Sequence, residues 1–321
     1  MPTACLSALG MMGRRHLKGL VRAGFSVFSS DPDPAAYATA RRELAQSGLP
    51  DECLRPDQAL PESVDVVIFS ETTTVRLENF RKLLSRARIG RLLLEKPITA
   101  NPDQHETFLS LARDHGIAER TQVNFIRRAW PHVQRLAEMC SREKQFVMTL
   151  NGGAIGLGCN GIHYLDTFLC FSAEERPSVR WAELSKSRVA SGRGEQFVDF
   201  GGDFVLEGTR GRLLASLSAD SSSGVVMTVR GEHFMAQVDY SDLQWKLARR
   251  KPGSLLPNYR YGADYEIVEQ GELEIPAMDA VTEAWALGRI QLPGLEQALV
   301  THRLLDELLR AGGAQPPYCF T

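Results

Sequence analysis

Apolar residues fall in short unbroken runs over the first third of the chain and in alternating positions over the rest, and the two patterns predict two kinds of sheet. Residues 3–8, 26–30, 64–70 and 91–94 read as buried strands, with helical spacing over 12–22, 35–47 and 75–87 between them. After Pro97 a further helix is signalled by Asn101 as N-cap, Pro102 at the first helical position and Gln104 three residues past the cap. Strict alternation of strand and helix to about residue 120 predicts a parallel sheet covered on both faces.

The pattern then changes. Residues 122–125, a helix at 131–140, a strand at 144–151, a glycine-rich loop at 152–158 and a helix at 162–171 lead into repeated short strands. Among these are 197–200, 212–218, 225–230 and 234–238, separated by Gly, Ser and Asp with no helices between, which predicts an antiparallel sheet. Helices at 278–289 and 293–311 close the chain, and no internal repeat is seen. The expected fold class is therefore α/β, an N-terminal Rossmann doubly wound domain over 1–121 followed by an α+β domain over 122–321 on an open, mainly antiparallel sheet. At 321 residues the chain exceeds one ordinary core, which agrees with two domains.

The first strand-to-helix junction carries candidate chemistry. The dinucleotide fingerprint G-x-G-x-x-G is matched by Ala8-Leu9-Gly10-Met11-Met12-Gly13, with alanine in place of the first glycine, a change that requires only a negative φ there. Gly10 allows the backbone to approach a pyrophosphate, Gly13 allows the helix to sit close to the sheet, and Met11 and Met12 open a helix whose N–H groups face the ligand. Asp31 ends the next strand roughly 20 residues on, where a carboxylate meets the adenosine ribose hydroxyls and repels a 2′-phosphate. The expected cofactor is NAD in preference to NADP, with Arg41 and Arg42 as the counter-signal.

The second motif is Glu95-Lys96-Pro97, directly after the apolar run Leu92-Leu93-Leu94. Strand ends of doubly wound sheets are where ligands bind, so the alternative of a solvated surface lysine is the weaker reading. A lysine held there can move a proton on a substrate oxygen while hydride moves on carbon. Only seven lysines occur in the chain, so one lodged in a motif carries weight.

With the Gly10-to-Gly13 turn and His16, Ser70 with Thr72-Thr73, Glu95-Lys96-Pro97, Asn124 with Arg127-Arg128 and Pro131, and Gly161-Ile162-His163 with Asp166, the chain resembles the glucose-fructose oxidoreductase, inositol dehydrogenase and rhizopine-catabolism family over nearly its whole length. The resemblance implies a Rossmann domain and an α/β domain whose open sheet makes a homodimer or homotetramer. It implies that Lys96 contacts the reacting oxygen and the nicotinamide ribose, that Glu95 and Pro97 shape the turn, and that Ser70, Thr72, Thr73 and Asn124 line the cofactor. His163 corresponds to the family's active-site histidine, and with Lys96 it would exchange the hydroxyl proton, work suited to its ordinary pKa near ~6.5. Relatives often carry an aspartate four residues before that histidine, where this chain has Cys159. Asn160 or Asp166 then supports the imidazole, or the chemistry leans on Lys96 alone.

Arg128, Asn160 and Tyr164 complete the implied substrate set, with Tyr164 and Trp130 either stacking on a sugar ring or filling the core. Arg76 stands where relatives often carry histidine and reads as a helix-surface residue near the cofactor. The implied activity is transfer of hydride between nicotinamide and a hydroxyl or keto carbon of a sugar, sugar nucleotide or cyclitol. The alternatives are a non-catalytic NAD-binding regulator of the same fold and a reductase of a non-sugar carbonyl or imine.

Composition changes this picture little. A formal charge of −2 gives no electrostatic footprint for nucleic acid, and no run approaches the length of a membrane span. Six cysteines without a CxxC pair, and opening residues that lack a signal-peptide pattern, lead to the expectation of reduced thiols in a soluble cytoplasmic protein with no metal site. On the second sheet, Val198 and Phe200 or Val225 and Met227 either form an exposed face for self-association or lie under the helices of their own domain.

Overall fold

The computed structural model describes residues 1–318 apart from 58–59, 154, 175, 192–193 and 255–263; Cys319, one of the six cysteines, lies outside them. The chain divides into two compact units, the first Met1–Ala129 with Pro276–Leu299, the second Trp130–Ile275 with the chain from Val300 on.

In the first unit six strands lie in one sheet: β1 (Thr3–Leu6), β2 (Ser26–Ser29), β3 (Leu54–Pro56), β4 (Ser63–Phe69), β5 (Arg88–Leu94) and β6 (Thr121–Val123). Their order is β3-β2-β1-β4-β5-β6 and every pair is parallel. The chain reverses direction across the sheet between β1 and β4, the position where doubly wound sheets bind ligands. Helices α1 (Met11–Arg22), α2 (Pro34–Gln46), α3 (Thr73–Leu84) and α4 (Gln104–Asp114) connect the strands. The expected parallel sheet is thus present, with the short β3 added. Helix α4 starts later than the sequence predicts: Asn101 accepts the Asp103 N–H at 3.1 Å in a local turn, and the helix begins only after Asp103.

A helix from near the end of the sequence, α7 (Met278–Ala286), belongs to this unit rather than to the second domain. Trp285 of α7 is 1% exposed, lies in the core with Leu17, Leu20, Val66 and Leu93, and donates its indole N–H to Gln122 at 2.9 Å.

The second unit is built on β7 (Phe146–Gly153), β8 (Ser178–Ala190), β9 (Val198–Glu207), β10 (Gly211–Ser218), β11 (Val226–Arg230), β12 (Phe234–Asp239), β13 (Gln244–Arg250) and β14 (Tyr265–Glu272). Their order is β14-β13-β12-β11-β7-β10-β9-β8, antiparallel throughout except for the parallel pair β10 and β7. Helices α5 (Pro131–Ser141) and α6 (Ile162–Ser172) belong to this unit, and Phe146 of β7 meets Phe168 and Phe171 of α6. The last helix, α8, spans Leu295–Ala311.

Phe200, Val225 and Met227 are 8%, 3% and 0% exposed, so they belong to the covered face of the sheet. The open face is the other alternate set: Val147, Trp181, Leu214, Met235 and Ile267 are between 36% and 50% exposed. Alternation reveals that a strand has two faces, and only the helices decide which one is covered.

Candidate functional site

The carboxyl ends of β1, β2, β4 and β5 bring the first set of predicted residues together. Gly10 is the N-cap of α1, no side chain caps that helix, and its first turn holds no acidic residue. The backbone N–H groups of the first turn are therefore open to an anion. A Cβ built on Gly10 would have no neighbour within 4 Å, which leaves the space above the turn free, whereas one on Gly13 would lie 1.9 Å from the Ala8 carbonyl oxygen. Gly13 is thus required by the close approach of helix and strand, and Gly10 only by whatever comes to lie over it. Met11 is 58% exposed and Met12 half-buried at the same helix start.

Side chains from two neighbouring strands hold this turn. Asp31, after β2, accepts the Leu9 N–H at 2.7 Å and the Asp33 N–H at 2.9 Å. Ser70, after β4, donates its hydroxyl to the Ala8 carbonyl at 3.1 Å, and its own N–H goes to Ser7 Oγ at 3.0 Å. Thr72 is the half-buried N-cap residue of α3 and Thr73 is buried behind it. The Arg41 guanidinium donates to the Asp51 and Leu54 carbonyls at 3.1 and 2.7 Å.

Glu95-Lys96-Pro97 follows β5, with a cis bond between Lys96 and Pro97. Lys96 is half-buried. Glu95 is 6% exposed and accepts from His16 Nε2 at 2.9 Å and from Asn124 Nδ2 at 2.5 Å, while His16 Nδ1 meets Thr282 Oγ1 at 2.8 Å. Burial alone would raise the Glu95 carboxyl. The His16 hydrogen bond and charge, the Lys96 charge and the Asn124 amide together outweigh it and hold the group at about 2. Glu95 and Asn124, expected at the cofactor, are therefore found bonded to each other, and through His16 they tie α1 and α7 to the turn.

Two further residues at this end were not expected. Arg76, read as a surface residue of α3, is instead 2% exposed and directed at backbone carbonyls around Lys96. Arginine on a helix carries no sequence signal of burial, and only the fold shows that carbonyl groups converge on it. Glu71, 9% exposed, receives the Ser7 hydroxyl, and burial raises its carboxyl although Arg76 and Ser7 pull the other way.

In the second unit His163 stands in the first turn of α6, 7% exposed, and its carbonyl accepts from Thr167 at 2.8 Å. It follows a wide helical turn at Gly156–Gly161. A carboxylate from β9 organises that turn. Asp199, 4% exposed, accepts the N–H groups of Gly158 at 2.8 Å, Cys159 at 2.7 Å and its neighbour Phe200 at 2.8 Å. Gly156 has φ +61°, and a Cβ there would lie 2.3 Å from Asp199 Oδ2, so the approach needs glycine. The turn that lacks an aspartate at position 159 thus receives one from across the sheet, a pairing between distant segments that the sequence did not disclose.

Asp166 is fully buried and accepts from Thr301 at 3.4 Å. Asn160 is exposed and Arg128 half-buried. Tyr164 is 2% exposed with its ring 6.0 Å from that of Tyr240, which also faces Trp130 at 6.0 Å and bonds His132 at 3.2 Å. Of the two uses weighed for Tyr164, it is in the core. Among the described residues, no cluster of His, Cys, Asp or Glu is placed to hold a metal ion, and no helix is long and apolar enough to cross a membrane.

No protein-family model matches the sequence, and no curated protein is significantly similar to it. Solved structures do match. UDP-N-acetylglucosamine 3-dehydrogenase GnnA from Acidithiobacillus ferrooxidans superposes with a TM-score of 0.68 at 17% identity, covering 96% of this chain and 97% of that one. The 3-ketoreductase KijD10 from Actinomadura kijaniata, in complex with NADP and TDP-benzene, gives 0.68 at 15% identity over 97% of both chains. A super-repressor mutant of Gal80p from Saccharomyces cerevisiae gives 0.70 at 13% identity over 97% and 96%. These neighbours are of the glucose-fructose oxidoreductase, inositol dehydrogenase and rhizopine-catabolism type, and the chain shares their two-part fold.

Proposed function

We propose that this chain is a member of that family and an NAD(P)-dependent oxidoreductase, exchanging hydride with a hydroxyl or keto carbon of a sugar, sugar nucleotide or cyclitol. The observation that carries the reading is the convergence, at the strand-order reversal of one sheet, of an uncapped helix N-terminus, the Asp31 carboxylate and a lysine on a side-chain-clamped turn. When bound, the dinucleotide would supply the hydride acceptor or donor.

The chain's own residues do the rest. The first turn of α1, at Gly10, Met11 and Met12, holds the pyrophosphate with backbone N–H groups, and Ala8 and Gly13 bring helix and strand close. Asp31 binds the ribose hydroxyls and disfavours a 2′-phosphate, so NAD is preferred. Ser70, Thr72 and Thr73 line the middle of the cofactor, and Glu95 and Asn124 act on it by fixing the turn. Lys96 holds the substrate oxygen and exchanges its proton, with His163 as the second proton carrier and Arg128 and Asn160 as substrate contacts. The nucleotide-sugar preference is supported by two neighbours, one named for a UDP-sugar and one bound to a TDP derivative. Self-association would use the open face bearing Trp181, Leu214, Met235 and Ile267, which exposes more alternating apolar side chains than a monomer needs.

The test is NADH formation or loss, followed by absorbance, against UDP-, dTDP- and GDP-sugars and free cyclitols, with Lys96→Ala beside the parent. Turnover of one class that the substitution abolishes supports the reading. Tight dinucleotide binding with no turnover across the panel moves the assignment to a regulator or to a non-sugar carbonyl or imine substrate.

A further inference from the structure

We infer that Arg76 is the positioning residue that sets how Lys96 is presented, and that it thereby governs the nicotinamide half of the cleft separately from the adenosine half. The inference rests on the dinucleotide site proposed above. Arg76 lies one turn into α3, and its Nη1 donates to the carbonyl oxygens of Glu95, Pro97 and, at 3.2 Å, Ile98, while Nη2 donates to that of Glu71. Two of these carbonyls belong to the residues on either side of Lys96, so the peptide plane entering the lysine and the one leaving Pro97 are both turned inward to a common point. Holding the chain on both sides of Lys96-Pro97 restricts the direction in which the Lys96 side chain leaves the backbone.

Few side chains can do this. Three inward carbonyls of one non-helical turn and a fourth from the segment after β4 need donors spread over a plane, and a guanidinium offers five in a rigid fork. A lysine brings one nitrogen on a flexible stem, and an imidazole brings at most two donors on opposite edges. Glu71 lies beside the buried cation and its carboxyl takes the Ser7 hydroxyl. Ser7 leads into the glycine turn and accepts the Ser70 N–H at 3.0 Å. The two halves of the cleft therefore meet at Glu71 but have separate supports, Arg76 for the Lys96 turn and Asp31 with Ser70 for the glycine turn.

The separation can be read without knowing the substrate. ADP-ribose carries the adenosine and pyrophosphate but no nicotinamide, so calorimetric titration of ADP-ribose and of NADH into the parent, Arg76→Met and Arg76→Lys isolates each half. The expected result for Arg76→Met is NADH bound about tenfold more weakly, the loss of one charge-assisted hydrogen bond, with ADP-ribose affinity within about twofold of the parent. The change in nicotinamide fluorescence on NADH binding is lost in the same variant, and Arg76→Lys falls between it and the parent. Equal weakening of both probes, no change in either, or unfolding of both variants by circular dichroism overturns the inference and leaves the dinucleotide site standing. Failure of the parent itself to bind either probe overturns the dinucleotide reading.

Discussion

The two turns that carry the candidate proton carriers are held by opposite means. Around Lys96 a buried cation, Arg76, gathers backbone carbonyls, whereas before His163 a buried anion, Asp199, gathers backbone N–H groups. Each turn leaves regular structure in the protein interior, where unpaired peptide groups would cost a few kcal/mol apiece. Which sign of charge is used follows from which peptide atoms the turn directs inward. The lysine turn is further tied by Glu95 to His16 and Asn124, and the histidine turn opens on a glycine with positive φ.

Activity is where this contrast should be largest. Lys96→Ala is expected to lower kcat by about a thousandfold, within the range for a positioned acid or base, and His163→Gln by about tenfold. Steady-state rates with whichever sugar the panel identifies would check the order, and the reverse order breaks the comparison.

Acid stability is next. Because the folded Glu95 carboxyl titrates at about 2, below its ordinary 4.5, its contribution is present in full above the ordinary value and is lost as pH falls toward the folded one. The size is roughly 3 kcal/mol, from ~1.4 kcal/mol per unit. Urea midpoints measured from about pH 6 down to about 3 should fall steeply in the parent and less in Glu95→Gln; parallel slopes would contradict the buried network.

For the histidine turn, Asp199→Ala leaves the Gly158 and Cys159 N–H groups without their carboxylate, and a loss of about 2 kcal/mol in unfolding free energy is expected. An unchanged urea midpoint would mean that the turn does not need its anion. The smallest effect separates the two glycines of the cofactor turn. Gly13→Ala should cost about 1–2 kcal/mol by forcing helix from strand, while Gly10→Ala should leave stability within ~0.5 kcal/mol yet weaken NADH binding. Thermal unfolding and NADH titration on both variants would show whether the space over Gly10 belongs to a ligand.

What was legible in the sequence was local. The glycine turn, Asp31 and the strand end at Glu95 follow from spacing and unbroken apolar runs, and each is found where those signals put it. What was not legible depends on contacts between distant segments. Arg76, Glu71 and Asp199 are charged residues whose burial is set by peptide groups far away in sequence, and charge alone reads as surface. The placement of α7 was missed for the same reason, because Trp285 finds its core across the whole chain. On the second sheet the alternation was visible, but the covered face was identified by burial and by the contacts of α6.

The most direct measurement is a crystal structure of the protein grown with NADH. The pyrophosphate should lie over Gly10 against the first-turn N–H groups of α1, with the adenosine ribose at Asp31 and the nicotinamide ribose beside Lys96. A dinucleotide bound away from the glycine turn, or a nicotinamide out of reach of Lys96, would contradict the account.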